Sequence, residues 1–265
     1  MIERIHQSSL NMALRCGEQF RRRYISNERI PPGIAAGRGT GVHKANDVNL
    51  RQKVITERDM GISDLKDAAR DGFVHAFDNG VFLSKDDVAS KNVLLNDGLN
   101  QTLKLTELYR EKVSPSIQPI EVERKFVIDV GLAMPLSGIM DIQRHRKIDD
   151  LKTSSRKWPD DRIKTEIQPI FYSLAHEMET GIRPQFNYRI LNINKGGDAK
   201  LQVQSITAEE KHYRALFAKI QVMIDMIQSG TYMPANPTAW WCSEKWCGYW
   251  STCVYVGNRE VKKWV

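Results

Sequence analysis

Apolar and polar positions change rhythm twice along the chain. From Ser8 to Tyr24 the apolar residues recur at helical spacing, with Ser8 or Ser9 placed to cap, and the segment ends in the cationic run Arg21-Arg22-Arg23. Pro31-Pro32-Gly33 breaks it. Gly37-Arg38-Gly39-Thr40-Gly41 predicts a turn, and a second helix is expected from about Val42. Helical periodicity covers roughly residues 50 to 113, clearest from Leu95 to Val113, and Pro115 and Pro119 end it. The period then falls to two. Ile120 to Val130 alternates as a half-buried strand, Gly131 begins a turn, and Leu136 to Gln143 and Lys147 to Leu151 read as two further strands. Arg144-His145-Arg146 joins the last two, which makes a three-strand meander. Thr165 to Thr180 returns to helical spacing with Gly181 as its stop. Gln185 to Asn194 is a strand, Lys195-Gly196-Gly197 a turn, and Ala208 to Gln228 a helix. The pattern predicts an α/β fold.

At 265 residues the chain is long enough to bury a core without staples. It reads as a single domain over 1–265, with a helical insertion at about 45–115 and a Cys-rich tail at 240–265 expected to pack on the N-terminal helix. A net charge of +7 favours a polyanionic partner, nucleic acid before anionic membrane. No apolar run is long enough to span a bilayer, and the start lacks the apolar core of a signal peptide, so a cytoplasmic protein is expected. In that reducing setting the four cysteines are read as free thiols or metal ligands.

The chemistry concentrates in the meander. Asp141 closes Ser137-Gly138-Ile139-Met140-Asp141, and Asp150 opens Asp150-Leu151-Lys152-Thr153 on the next strand. Strand geometry sends Asp150 and Lys152 to the same face. Two carboxylates suit a hard divalent cation, magnesium or manganese, and a lysine beside them can steady a hydroxide or the charge growing on phosphate. Asp149 competes with Asp150 for the second position, and the Asp-x-Lys spacing favours Asp150. Glu123 is a weaker candidate, read here as a solvent-facing charge. His43, early in the second expected helix, can add a neutral imidazole to an oxygen-rich site.

Arg38-Gly39-Thr40-Gly41-Val42-His43, Gly138-Ile139-Met140-Asp141, Asp150-Leu151-Lys152-Thr153 and Gln168-Pro169-Ile170-Phe171-Tyr172 stand in an order that resembles the RecB-like branch of the PD-(D/E)XK nucleases. The resemblance implies a restriction-endonuclease-like core, a mixed β-sheet flanked by helices. It implies metal ligation by His43, Asp141, Asp150 and the Leu151 carbonyl, with Lys152 as catalytic lysine. Gln168 and Tyr172, one helical turn apart, would organise the site and contact the DNA backbone. The activity implied is a magnesium- or manganese-dependent deoxyribonuclease, an exonuclease or end-processing enzyme of recombination or DNA processing such as those of phages. The competing reading is a catalytically silent DNA-binding module on the same fold.

Cys16 lies early, and Cys242, Cys247 and Cys253 lie late. This layout resembles the iron–sulfur nucleases of the AddB and CRISPR-adaptation type, which implies a 4Fe–4S cluster. Four thiolates equally suit zinc. The C-x4-C-x5-C spacing departs from the C-x2-C-x5-C of those relatives, and Gly17 stands where proline is common. Such a centre would clasp the tail to the first helix. The basic residues placed to meet DNA are Arg21, Arg22, Arg23, Arg38, Arg144, Arg146, Arg156 and Lys157, and Trp158 either stacks on a base or caps the core. No Gly-x4-Gly-Lys-Ser/Thr loop is present, so the chain has no motor of its own. It would act on DNA ends, alone, as an oligomer, or with a helicase or a single-strand annealing protein.

Overall fold

Six strands make one mixed sheet in a computed structural model that describes residues 2–256. Residues 257–265 of the expected tail lie outside the described residues. The strands are β1 (Ile5–His6), β2 (Glu121–Ile128), β3 (Leu136–Arg144), β4 (Lys147–Ser154), β5 (Gln185–Ile193) and β6 (Ala199–Thr207). The helices are α1 (Gln7–Arg15), α2 (Gly17–Phe20), α3 (Ile34–Thr56), α4 (Ile62–His75), α5 (Lys91–Leu108), α6 (Ile167–Thr180) and α7 (Glu210–Ser229). The meander β2-β3-β4 is antiparallel. β4 and β5 run parallel, which requires a crossover, and α6 supplies it. β6 returns antiparallel on β5.

Each face of the sheet is covered by its own set of helices. Phe126, Leu136, Ile148, Phe186 and Ile190 pack with residues of α1, α6 and α7. Ile142, Leu151, Leu191 and Ile193 pack with residues of α3, α4 and α5. β5 therefore buries apolar side chains on both faces, Phe186 and Ile190 on one and Leu191 and Ile193 on the other.

Three expectations need correction. The Gly-rich segment is no turn: α3 begins at Ile34, and Gly37 to Gly41 lie inside it. The glycines are there because α4 crosses at contact distance. A Cβ on Gly41 would stand 2.6 Å from the Ala69 carbonyl oxygen, and one on Gly72 would stand 3.2 Å from the Gly41 Cα. The first expected helix is interrupted at Cys16, whose extended backbone separates α1 from α2, and residues 21–25 form a π-helical turn. β1 and β6 carry no clear alternation and escaped the pattern, because one is two residues long and the other keeps only Gln204 buried. Elsewhere the expected boundaries hold to within a few residues, and Gly181 ends α6 with φ 72°.

Gly41→Ala is expected to destabilise the protein by about 1–3 kcal/mol through overpacking, although alanine is the better helix former. Urea unfolding of the two proteins checks the sign.

Candidate active site

The site forms where β3 and β4 part. One edge of β3 is paired with β2 from Leu136 to Gln143, except at Asp141. On the other edge β1 pairs only with Leu136 and Ser137, and β4 only with residues 142–144. Residues 138–141 are left facing the gap. Asp141 reaches across it: its Oδ2 accepts the Leu151 N–H at 3.3 Å and lies 3.4 Å from His43 Nδ1. α3 brings His43 to this point, held against the sheet by Val42 and Ala45, which are fully buried.

Asp150 lies across the gap from Asp141 and is 1% exposed. Its Oδ2 accepts from Gln168 Nε2 at 2.8 Å, and Gln168 Oε1 accepts from the Tyr188 hydroxyl at 3.2 Å. Lys152 Nζ sits 2.6 Å from Asp150 Oδ1 and 5.5 Å from the Tyr188 ring centre. The ammonium is thus the ionic partner of the buried Oδ1. The Tyr172 hydroxyl faces Gln168, the Ile139 backbone and both carboxylates, and burial pushes its pKa up.

Glu123 also belongs here, which corrects its reading as a solvent-facing charge. In the β2–β3 ladder Val122 pairs with Ile142 and Arg124 with Met140, and the rung between them, Glu123 opposite Asp141, is missing. Glu123 is left-handed at φ 51°, a conformation that strains a non-glycine residue by about 1–2 kcal/mol. The flip resets the alternation, so that Met140 joins one core and Ile142 the other. It also aims Glu123 inward, where its carboxylate, His43 and Asp141 offer donor atoms within 4.8 Å of one another. A Glu directly across a strand from an Asp was the available sequence signal, but it required the register.

The electrostatics are those of crowded anions. Burial raises the Asp141 pKa to about 6, and burial together with the charge of Asp141 raises that of Asp150 to about 7, in both cases against the pull of Lys152. Burial likewise raises Glu123. Burial lowers His43, outweighing the attraction of Asp150, so the imidazole is neutral and free to donate a lone pair. Lys152 is held above its ordinary range because the two aspartates outweigh its burial. Carboxylate oxygens and a neutral imidazole gathered within 4.8 Å of one another fit a hard divalent cation. The Leu151 carbonyl lies within hydrogen-bond reach of His43, on the same side of the cluster.

The other expected residues separate into groups. Asp149 points away, fully buried between Arg144 at 2.6 Å and Arg189 at 2.9 Å, and is a structural anchor. Trp158 caps the core, edge-on to Tyr188 and covered by the Arg162 guanidinium. Arg38 is buried and donates to Gln101 Oε1 at 2.5 Å, while Arg21 and Arg22 are paired with Glu18 and Glu28, so these are not free surface cations. All four cysteines are free thiols lining one cavity. Gln19 Nε2 donates to Cys247 Sγ at 3.0 Å and the Ala235 N–H to Cys16 Sγ at 3.3 Å. The unusual Gly17 is required by the same packing: it donates to the Met233 carbonyl at 2.7 Å, and a Cβ would stand 2.8 Å from that backbone.

A mixed sheet flanked by helices, parted at an aspartate and an Asp-x-Lys strand, defines a nuclease of the restriction-endonuclease-like fold. The chain belongs to the PD-(D/E)XK nuclease superfamily, whose family model matches residues 4–254. A crystal structure from Eubacterium rectale, described as that of a candidate exonuclease, superposes with a TM-score of 0.62 at 12% identity. The match covers 99% of this chain and 91% of that one, and it shows the shared fold. No match is found among curated protein sequences. No helix among the described residues is long and apolar enough to cross a membrane.

The raised carboxylates set a stability signature. Their folded pKa values lie above the unfolded ones, so the folded chain holds more protons and loses stability as pH rises through the folded values. His43 acts oppositely, but only below about pH 6.5, where it protonates in the unfolded chain. Between pH 6.5 and 8, in EDTA, the melting temperature should therefore fall. Magnesium or manganese should flatten the slope, as thermal melts at fixed ionic strength will show.

Proposed function

We propose that the chain is a divalent-metal-dependent deoxyribonuclease that works from DNA ends as an exonuclease. The observation that carries this reading is the convergence of His43, Glu123, Asp141, Asp150 and Lys152 on the gap between β3 and β4. His43, Glu123 and Asp141, whose donor atoms lie within 4.8 Å of one another, would hold the ion, with Asp150 and the Leu151 carbonyl as further ligands. When bound, the ion supplies a Lewis acid for the phosphoryl oxygens and lowers the pKa of a coordinated water. Lys152, kept charged by its aspartates, places its ammonium beside the scissile phosphate and steadies the attacking oxygen. Gln168 fixes the Asp150 carboxylate, and the protonated Tyr172 hydroxyl can donate to a phosphate oxygen. The preference for ends is supported by the fold shared with a protein described as a candidate exonuclease.

Cys16, Cys242, Cys247 and Cys253 would hold a 4Fe–4S cluster that ties the tail to the N-terminal helices. Support comes from the donor set, which is wholly thiol, and from the N–H groups that already point at Cys16 and Cys247. The indole N–H of Trp241, whose side chain lines the same cavity, is buried without an acceptor, and a cluster sulfide would supply one.

Purified protein should degrade end-labelled linear DNA in magnesium or manganese and spare covalently closed circles. Asp141→Ala and Lys152→Ala should each lower kcat by at least about 10²-fold with circular dichroism unchanged. Cleavage retained by Asp141→Ala would overturn the assignment. Protein purified without oxygen should carry about four iron and four sulfide per chain. Cys253→Ser should lose the visible absorbance and melt at a lower temperature, whereas stoichiometric zinc in place of iron would refute the cluster.

A further inference from the structure

Beyond the carboxylates, one face of β2 and β3 is open. Phe126, Ile128, Leu136 and Met140 enter the core, so strand alternation sends Lys125, Val127, Ser137 and Ile139 to the opposite face. Lys125 is exposed there, and Val127 and Ile139 are 52% and 41% exposed. β1 extends the same surface, since His6 pairs in register with Ser137 and its Nδ1 lies 3.0 Å from Ser137 Oγ. A cavity of about 510 Å³ over this strip is lined by Arg4, His6, Ser8 and Lys125. A second depression, at the carboxylate end, is lined by His43, Glu123 and Lys44. Lys125 and Ile139 border both, so the two form one groove leading out of the active site.

Part of the cationic charge along this groove is unpaired. Arg51 is tied to Asp47, and Arg124 to Glu121 and Glu179, but Lys125 and Arg4 have no carboxylate within 4.0 Å among the described residues. The first turn of the nine-residue α1 also lines the cavity through Gln7 and Ser8, adding the positive end of a helix. The step from Lys125 to the Val127–Ser137 pair that meets His6 is two residues of regular strand, about 7 Å. That step is comparable to the distance between successive phosphates of an extended single strand.

We infer that this strip is the track of the cleaved strand. Lys125 grips the phosphate next to the scissile one, Arg4 and His6 grip the phosphate after it, and sugars and bases rest over Ile139 and Val127. Lys125 and Arg4 are thus positioning residues for a single-stranded polyanion. The inference rests on the nuclease reading above, because the scissile phosphate fixes the origin of the track.

Two measurements test it. In steady-state hydrolysis of octathymidylate, Lys125→Ala should raise KM about ten-fold with kcat within about two-fold, and Lys125→Arg should restore KM. Bis(p-nitrophenyl) phosphate is too short to reach Lys125, so the preference for the octamer over it, as a ratio of kcat/KM, should fall about ten-fold. In EDTA, fluorescence anisotropy of labelled octathymidylate should show the same weakening, and Lys125→Ala and Arg4→Ala should each flatten the salt slope by about 0.7. Equal losses on both substrates, or an unchanged KM and salt slope, would overturn the track. Should the wild-type protein cleave neither substrate, the nuclease reading fails, while the anisotropy alone still decides whether Lys125 and Arg4 hold the strand.

Discussion

Two buried carboxylates face each other across the only part of β3 that lacks a neighbour on one edge, and their mutual repulsion governs what surrounds them. Such a pair ionises reluctantly in apolar surroundings. The neighbouring elements each answer that electrostatic demand. β4 contributes Lys152, α6 contributes the Gln168 amide, and α3 contributes an imidazole kept neutral. What these answers leave is a cluster of His43, Glu123 and Asp141 donor atoms within 4.8 Å of one another, a place suited to a cation.

The split that creates this site needs rigid support on both sides. Asp149, one residue before the catalytic candidate, locks β4 to Arg144 of β3 and Arg189 of β5 just where the strands begin to diverge. Adjacent aspartates thus do opposite work: one closes the sheet and the other faces the opening. On the helical side, the glycine contact between α3 and α4 lets α3 lie close enough for His43 to reach Asp141. A network of Asn49, Lys53, Asp59 and Tyr109 ties α3 to the segment that follows α5.

Much of this was legible in the residues. The meander, the crossover helix and the Asp-x-Lys strand follow from spacing, because period-two and period-3.6 patterns are strong where one face is buried. The Gly-rich stretch misled because glycine marks both turns and close helix contacts, and only the partner helix distinguishes them. Glu123 was underrated because its role depends on a left-handed backbone that local composition does not announce. The arginines looked like surface cations in one dimension, whereas Arg21, Arg22 and Arg144 meet acids brought near by the fold.

The pairing of β1 with β3 joins residues 5–6 to 136–137, and Cys16 meets a segment more than two hundred positions later. Contacts so distant along the chain form slowly, since the entropy of closing the loop precedes any gain. Residues 5–20 are made before β3 and the tail that they pack on, so they dock only after those segments have emerged. Until then their apolar side chains, Ile5, Leu10 and Phe20 among them, have no partner to cover them. The two long-range contacts thus couple the cover of these apolar side chains to segments made much later.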